Sequence, residues 1–223
     1  VGFSPDGKLL ATGSGDPSRS GELKLWNAQT GALVLEVKNA HSDTVQSVAF
    51  SGDGKTLVSG AADKFVKVWN VADGKLIKSF EGHTHQVLGV SIKRDGRIIA
   101  SAGADASDKV WSLITGEVVR TIKGFAKEAT TVAHVGVSDQ FVAAGGDGKV
   151  RLINESGGDA RTFAGATDFV YSAAATSDGK IVVAGGQDGI LRIWDGTNAK
   201  VLTTFEPPKA PAPTPQKTAA LAK

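Results

Sequence analysis

Residues 45–80 have the sequence VQSVAFSGDGKTLVSGAADKFVKVWNVADGKLIKSF, and this stretch decides the fold. Apolar and polar residues alternate in Val66-Lys67-Val68-Trp69, which is the period of two expected of a β-strand. The pair Asp53-Gly54 supplies the positive φ angle that a tight hairpin turn needs. The stretch is therefore predicted to form four strands, at Val45–Phe50, Thr56–Gly60, Phe65–Trp69 and Lys75–Phe80.

The same unit recurs along the 223 residues of the chain with a period in the low forties. Its closing apolar residue recurs at spacings of 43, 42, 42 and 41 residues. Asp-Gly turn signals also recur in phase, and we interpret Asp53, Asp95 and Asp178 as turn residues rather than catalytic carboxylates. The closing apolar residues of the five units are Trp26, Trp69, Trp111, Ile153 and Trp194.

Four-stranded units at this period are typical of the blades of a β-propeller. A lone four-stranded sheet would leave two apolar faces uncovered, so neighbouring blades have to stack. The sequence thus predicts an all-β fold of five blades and a Pro/Ala/Lys-rich tail at 206–223, interpreted as a semi-rigid linker or, alternatively, as a docking peptide. The expected blades are about 1–38, 39–80, 81–122, 123–163 and 164–205.

These repeats resemble WD repeats, and the resemblance covers residues 1–205. In that family a Gly-His pair opens each unit and a Trp-Asp pair closes it. Here Gly82-His83 is an intact opening pair, and Trp194-Asp195 is the only literal closing pair. Because seven blades are common in the family, we expect the five blades to be part of a larger ring of about seven, and the alternative is a five-bladed ring closed by packing of its end faces alone.

The resemblance also implies a buried hydrogen-bond network of His, Ser, Asp and Trp in a blade. Imidazole can bridge a carboxylate and a hydroxyl, and the hydroxyl can accept from the indole N–H. In unit four Phe125, Ala143 and Ile153 replace three of the four residues, so we expect the last two blades to depend on apolar packing. The complete network is expected in two units. In unit two it consists of His41, Ser59, Asp63 and Trp69, and in unit three of His83, Ser101, Asp105 and Trp111.

Composition argues against several classes of function. The tail contributes a net charge of +2, which leaves 22 basic and 22 acidic residues in the body; a neutral body does not favour nucleic-acid binding. The chain contains no cysteine, no apolar run of 18 residues and no recognisable catalytic motif, so we expect no membrane insertion and no enzyme activity. We predict no cofactor and no metal site. His83 and His85 lie close in sequence, but His83 is assigned to a His-Ser-Asp-Trp network, which leaves His85 alone. Residues Asp16–Glu22 resemble the start of a calcium loop but are interpreted as an insertion in a hairpin.

The loops that open the units form the predicted binding rim. Loops on a rigid scaffold are where binding surfaces are usually found. Phe169 is the preferred anchor because an aromatic side chain on a rim suits a binding hot spot, whereas local packing of its ring is the alternative. The predicted rim residues are Asp43, Thr44, His85, Gln86, Thr131, Asp168, Phe169 and Tyr171.

Asp108 does not fit the repeat. It occupies the position of Val66, Val150 and Leu191, where an apolar side chain is expected. A carboxylate between blades needs a partner. We therefore expect either a local slip in strand register or partial exposure of that strand.

WD-repeat proteins mostly bind other proteins, so the resemblance implies a non-catalytic interaction scaffold of unidentified partner. The sequence around residues 13–26 and the Pro-rich end resemble bacterial, planctomycete-type WD-repeat proteins fused to a c-type cytochrome module. That resemblance implies an accessory role in an envelope redox protein and a periplasmic location, with the cytoplasm left open. Binding of a small ligand or sugar at the channel mouth is a third alternative. The oligomeric state is left open.

Overall fold

The computed structural model describes residues 1–208. Within them the chain is all-β, as predicted, and forms five four-stranded antiparallel sheets without a helix. Each sheet is made of strands in chain order, which is the arrangement of propeller blades. Blade one comprises β1 (Gly2–Phe3), β2 (Leu9–Asp16), β3 (Ser20–Asn27) and β4 (Leu33–His41). Blade two comprises β5 (Val45–Phe50), β6 (Thr56–Ala61), β7 (Val66–Asn70) and β8 (Leu76–Phe80).

The remaining three blades repeat this pattern. Blade three comprises β9 (Val87–Ile92), β10 (Ile98–Gly103), β11 (Ser107–Ser112) and β12 (Val118–Ile122). Blade four comprises β13 (Ala129–His134), β14 (Gln140–Gly145), β15 (Val150–Asn154) and β16 (Asp159–Phe163). Blade five comprises β17 (Val170–Ala175), β18 (Ile181–Gly186), β19 (Leu191–Asp195) and β20 (Val201–Phe205).

The turn between the first two strands of a blade is fixed by its own side chains. In blade two the Asp53 carboxylate accepts a hydrogen bond from Ser51 Oγ at 2.6 Å and another from the Lys55 amide at 3.0 Å. Gly54 has a φ of 70°, a conformation in which a Cβ would be strained. The interpretation of Asp53 as a turn residue is therefore confirmed. The corresponding turns converge on a cavity of about 280 Å³ whose lining includes Pro5, Gly52, Arg94, Gly136 and Ser177.

The apolar core lies between blades rather than within one of them. Successive blades contact each other mainly through their first and second strands. Between blades two and three, Val66 and Phe80 pack against Val87 and Trp111, and the Phe80 and Trp111 ring centres are 5.3 Å apart. The same pairing joins blades four and five, where the Phe163 and Trp194 rings are 5.8 Å apart. Burial of these side chains is what holds one blade to the next.

Both expectations for Asp108 were wrong. Asp108 pairs in register with Ala102 on one side and Ile122 on the other, so no slip occurs at this residue. Its side chain is fully buried, and neither carboxylate oxygen has a hydrogen-bond partner among the described residues. Burial raises the pKa of Asp108 well above its ordinary value, and the nearby charge of Arg151 opposes that rise.

Thr131 was placed wrongly on the rim. The first strand of blade four begins at Ala129, which pairs with Gly145 as Val45 pairs with Ala61 in blade two. Thr131 therefore lies within β13, and the residue that precedes the strand is Glu128. Thr131 directly precedes Val132, which is the residue type that begins the first strand in the other units, but in blade four the smaller Ala129 fills that place.

The described residues contain no helix that is long and apolar enough to cross a membrane. The greater part of the predicted tail, 209–223, lies outside the described residues.

Candidate functional site

A hydrogen-bonded chain of side chains anchors the loop that opens blade two. His41 Nδ1 donates to the Asp63 carboxylate at 2.9 Å, and His41 Nε2 accepts from Ser59 Oγ at 2.7 Å. Ser59 Oγ in turn accepts from Trp69 Nε1 at 2.8 Å. The Asp63 carboxylate also accepts from the amide of Ser42 at 3.0 Å, so the opening loop is tied to the turn between the second and third strands.

Blade three repeats this arrangement almost without change. His83 Nδ1 lies 2.9 Å from Asp105, and His83 Nε2 lies 2.7 Å from Ser101 Oγ. Trp111 Nε1 donates to the same hydroxyl at 2.8 Å. The shared serine gives each indole and imidazole a partner in a buried place, where an unpaired polar group would be costly.

Burial decides the protonation of these networks. Burial lowers the pKa of His41 and of His83, and the hydrogen bond and charge of the paired aspartate offset this only in part. Burial of Asp63 opposes its ionisation, yet hydrogen bonds from His41 and from neighbouring amides outweigh it and lower the pKa of Asp63. Neutral imidazole beside ionised carboxylate is therefore the state at neutral pH.

In blade four an arginine takes over the role of the histidine. Arg151 donates to Asp147 at 2.6 Å and to the Gly124 carbonyl at 3.3 Å, and its guanidinium carbon lies 4.3 Å from the centre of the Phe125 ring. The side chains of Asp147 and Arg151 are both almost completely buried. The expectation that the last two blades depend on apolar packing was wrong for blade four, because a buried ion pair bridges the same two loops.

Blade five uses a similar pair. Arg192 Nη1 lies 2.7 Å from Asp188, four residues earlier, as Arg151 lies four residues after Asp147. Trp194 Nε1 donates to the Ala164 carbonyl at 2.9 Å, so the indole keeps a partner without a serine. The Asp-x-x-x-Arg spacing was visible in the sequence and could have indicated this replacement.

The rim residues of blades two to five share one backbone contact. The carbonyl of the residue that precedes each first strand accepts an amide hydrogen bond from the turn between the second and third strands. Each of these residues also precedes the aspartate of that turn by 19 positions, a spacing that would have indicated Glu128. The four equivalent residues are Thr44, Gln86, Glu128 and Phe169, and we call them, with Asp43, His85, Asp168 and Tyr171, the opening rim.

The members of the opening rim differ in exposure. His85, Gln86, Asp168 and Tyr171 are exposed, whereas Asp43, Thr44, Glu128 and Phe169 are half-buried. The Asp43 carboxylate accepts from the Thr44 amide at 2.7 Å and from the Ser18 amide at 2.8 Å. Asp43 thereby fixes its own turn and holds the hairpin of blade one against blade two.

Blade five provides the aromatic part of the rim. The rings of Phe169 and Tyr171 have centres 5.4 Å apart, and Tyr171 is 59% exposed. The Phe169 ring lies directly over Gly146 of blade four, where a Cβ would come within 2.4 Å of it. Phe169 thus packs locally, and Tyr171 is the aromatic residue that is presented to solvent.

No ligand set for a metal ion forms on this rim. Within residues 1–208 no three side chains of His, Asp or Glu are grouped as metal ligands. His83 is engaged by Asp105 and Ser101, and His85 stands in the exposed loop. The Asp16–Glu22 stretch forms the β2–β3 hairpin, in agreement with its interpretation as an insertion.

Comparison with known families finds one match. The model of the family described as "WD40: WD domain, G-beta repeat" matches residues 1–27, 33–70, 74–112 and 157–195. Each of the last three segments combines the fourth strand of one blade with the first three strands of the next. The matches leave out 113–156, which contains Phe125, Ala143 and Ile153 in place of the network residues.

Curated relatives match shorter stretches. The chain is 39% identical over 83 residues to WD repeat and SOCS box-containing protein 1 of Danio rerio, which covers 36% of this chain and 18% of the relative. It is 39% identical over 75 residues to the coronin-like protein of Saccharomyces cerevisiae, and that alignment covers 34% of this chain and 11% of the relative. It is 38% identical over 66 residues to nuclear distribution protein nudF of Emericella nidulans, and that alignment covers 30% of this chain and 15% of the relative. The aligned part is thus less than a fifth of each of these eukaryotic relatives.

Proposed function

Since this chain belongs to the WD-repeat family, we propose that it is a non-catalytic platform that binds other proteins through the opening rim. The relatives carry the repeat within proteins of diverse names, so the repeat does not by itself specify a partner. A propeller suits this role because its blades hold loops in fixed positions at small entropic cost to binding.

The observation that carries the proposal is the exposed Tyr171 beside a rigidly held Phe169. Aromatic side chains that keep one face on the scaffold and another in solvent are favoured binding anchors. Around them the rim offers groups that can fix an orientation by hydrogen bonds, namely Gln86, Glu128 and Asp168.

The test uses the full chain as bait in affinity capture with quantitative mass spectrometry. Tyr171→Ala is compared with the unchanged chain and with Val137→Ala, a control that is 69% exposed at the opposite end of blade four. We expect specific proteins to be lost from the Tyr171→Ala capture and kept by the control. If Tyr171→Ala captures the same proteins as Val137→Ala, in the same amounts, Tyr171 is not an anchor and the proposal fails for this part of the rim.

A second candidate is binding of a small ligand in the cavity at the other end of the blades from the opening rim, where the turns between the first and second strands converge. The cavity there is lined by polar groups from neighbouring blades, including Ser91, Arg94 and His134, with Ser91 Oγ 3.1 Å from His134 Nδ1. Concave sites with a few convergent polar groups are where small ligands bind. A thermal-shift screen of sugars and small anions would reveal a ligand, and Arg94→Ala should abolish its shift.

An accessory role beside a c-type cytochrome in a bacterial envelope stays a proposal from the sequence resemblance. It is supported by the residues around 13–26 and the Pro-rich end. Sequencing the parent gene tests it, because a Cys-x-x-Cys-His motif in the same reading frame is required for covalent haem attachment.

A further inference from the structure

A basic groove lies between blades three and four, beside the opening rim. It contains a cavity of about 210 Å³ whose lining includes Lys123, Lys149 and Arg151, and Asp159 is the one acidic side chain among the described residues of this lining. Lys123 directly follows the last strand of blade three, whereas Lys149 and Arg151 lie at the start of the third strand of blade four. We call these four residues, with Phe125, the blade-four groove.

The two lysines of the groove carry charges that the fold does not use. Lys123 and Lys149 are exposed, and within residues 1–208 neither side chain has an ion-pair or hydrogen-bond partner. Lys24, by contrast, lies 3.0 Å from Glu22 and 3.3 Å from Glu36. The ammonium groups of the groove are therefore available to a partner.

The repeat does not require basic residues at these two positions. The other blades place an acidic, a polar or an apolar side chain there. The residues equivalent to Lys123 are Asn39, Glu81 and Ala164, and those equivalent to Lys149 are Phe65, Ser107 and Ile190. The positive charge of the groove is thus a property of this pair of blades and not of the fold.

Arg151 adds a buried donor to the lining. Its side chain is 5% exposed, and its Nη2 donates to Asp147 and to the Gly124 carbonyl, whereas its Nη1 is buried without a hydrogen-bond partner among the described residues. Asp159 lies 3.6 Å from Nε but is 47% exposed, so solvent screens this pairing. Because an unpaired buried donor is costly, an acceptor oxygen that enters the cavity is favoured.

We propose that the blade-four groove binds an acidic segment of a protein partner, with one carboxylate of the segment in the cavity lined by Lys123 and Lys149. This assignment rests on the proposed function, since it names the chemistry of the partner that the platform binds. Carboxylate oxygens accept from both ammonium and guanidinium groups, and complementary charge sets the rate and specificity of association. Nucleic acid fits less well, because the body of the chain is neutral and offers a phosphate backbone no continuous basic track.

The experiment is fluorescence anisotropy of a labelled hexaglutamate peptide with the full chain. Lys123→Gln and Lys149→Gln are combined in one variant; both positions are exposed, so folding should persist, as checked by circular dichroism. Lys64→Gln is the matched control, because Lys64 is exposed in the turn between β6 and β7, on the same side of the blades but in blade two. We expect the double variant to bind the peptide about tenfold more weakly and the control to bind it unchanged.

Asp159→Asn tests the proposal in the opposite direction. Removing the acidic charge of the lining should tighten binding of hexaglutamate by about threefold, and a neutral hexaglutamine peptide should not bind. The proposal is overturned if hexaglutamate does not bind, if the double variant binds it as well as the unchanged chain, or if single-stranded DNA of equal charge binds as tightly through the same two lysines. Each of these outcomes leaves the platform itself supported where Tyr171→Ala still loses proteins in affinity capture, so the two failures are distinguishable.

Discussion

The guanidinium of Arg151 lies over the ring of Phe125, 4.3 Å from its centre, in the part of blade four where blades two and three have a histidine. Arg151 also donates to the buried carboxylate of Asp147. A cation held between an aromatic face and a carboxylate can replace the histidine network, because both its charge and its planar surface are engaged. The loop that opens blade four is thus fixed by different chemistry at the same place.

Breaking this buried pair should be costly. Asp147→Asn removes the carboxylate that compensates Arg151, and we expect a loss of about 3 to 5 kcal/mol in the free energy of unfolding. Asp159→Asn is the control: Asp159 lies 3.6 Å from the same guanidinium but is 47% exposed, and its loss should cost less than about 1 kcal/mol. Urea unfolding of both variants measures the difference, and equal costs would contradict the role given to Asp147.

Asp108 should destabilise the protein at neutral pH. Its carboxyl is buried without a hydrogen bond, so Asp108→Val, which copies Val66 and Val150, is expected to raise the free energy of unfolding by about 1 to 3 kcal/mol at pH 7. Unfolding in denaturant at pH 7 measures this gain. A loss of stability would show that Asp108 has a partner in solution.

The gain should depend on pH. The pKa of Asp108 is raised in the folded state, so ionisation of Asp108 lowers the free energy of unfolding. This loss is absent below the pKa of an aspartate in the unfolded chain, ~3.9, and grows as the pH rises above it. The stability difference between Asp108→Val and the unchanged chain should therefore shrink as the pH falls from 7 towards 4. A difference that is constant over this range would mean that Asp108 does not change its protonation on unfolding.

Removing the shared hydroxyl should disrupt a whole network. Ser59→Ala leaves both His41 Nε2 and Trp69 Nε1 without a buried partner, and we expect a cost of about 2 to 4 kcal/mol. Thr12→Ala is the matched control, since Thr12 accepts only from Trp26 Nε1 in a half-buried place and its loss should cost about 1 kcal/mol. Thermal unfolding of the two variants compares them, and the prediction is refuted if Thr12→Ala costs as much.

Mild acid should weaken blades two and three first. The pKa values of His41 and His83 are lowered in the folded state, so their stabilising effect is present above the unfolded histidine value near pH ~6.5 and is lost as the pH falls below it. Hydrogen exchange between pH 7.5 and 5, corrected for intrinsic rates, should show protection falling sooner in β6 and β10 than in β14 of blade four. Uniform loss over all blades would contradict this assignment.

Much of the fold follows from short-range features of the sequence. The Asp-Gly turns, the alternation within strands and the period of the tryptophans each act over a few residues or one repeat, so the five sheets could be predicted. The residues of the two His-Ser-Asp-Trp sets lie at fixed positions in the repeat, and the structure brings each set within hydrogen-bond distance.

Other features depended on contacts between blades, which no single repeat contains. The sequence could not show that Asp108 is fully buried, because its surroundings come from blade four as well as blade three. By contrast, the sequence did contain signals for Glu128 on the rim and for Arg151 beside Phe125, in the 19-residue spacing to the turn aspartate and in the Asp-x-x-x-Arg spacing, although only the structure made them evident. A repeat pattern thus determines which residues form a blade, because strand and turn preferences are local. Only the stacked structure decides which side chains remain uncovered, because burial is set by the neighbouring sheet.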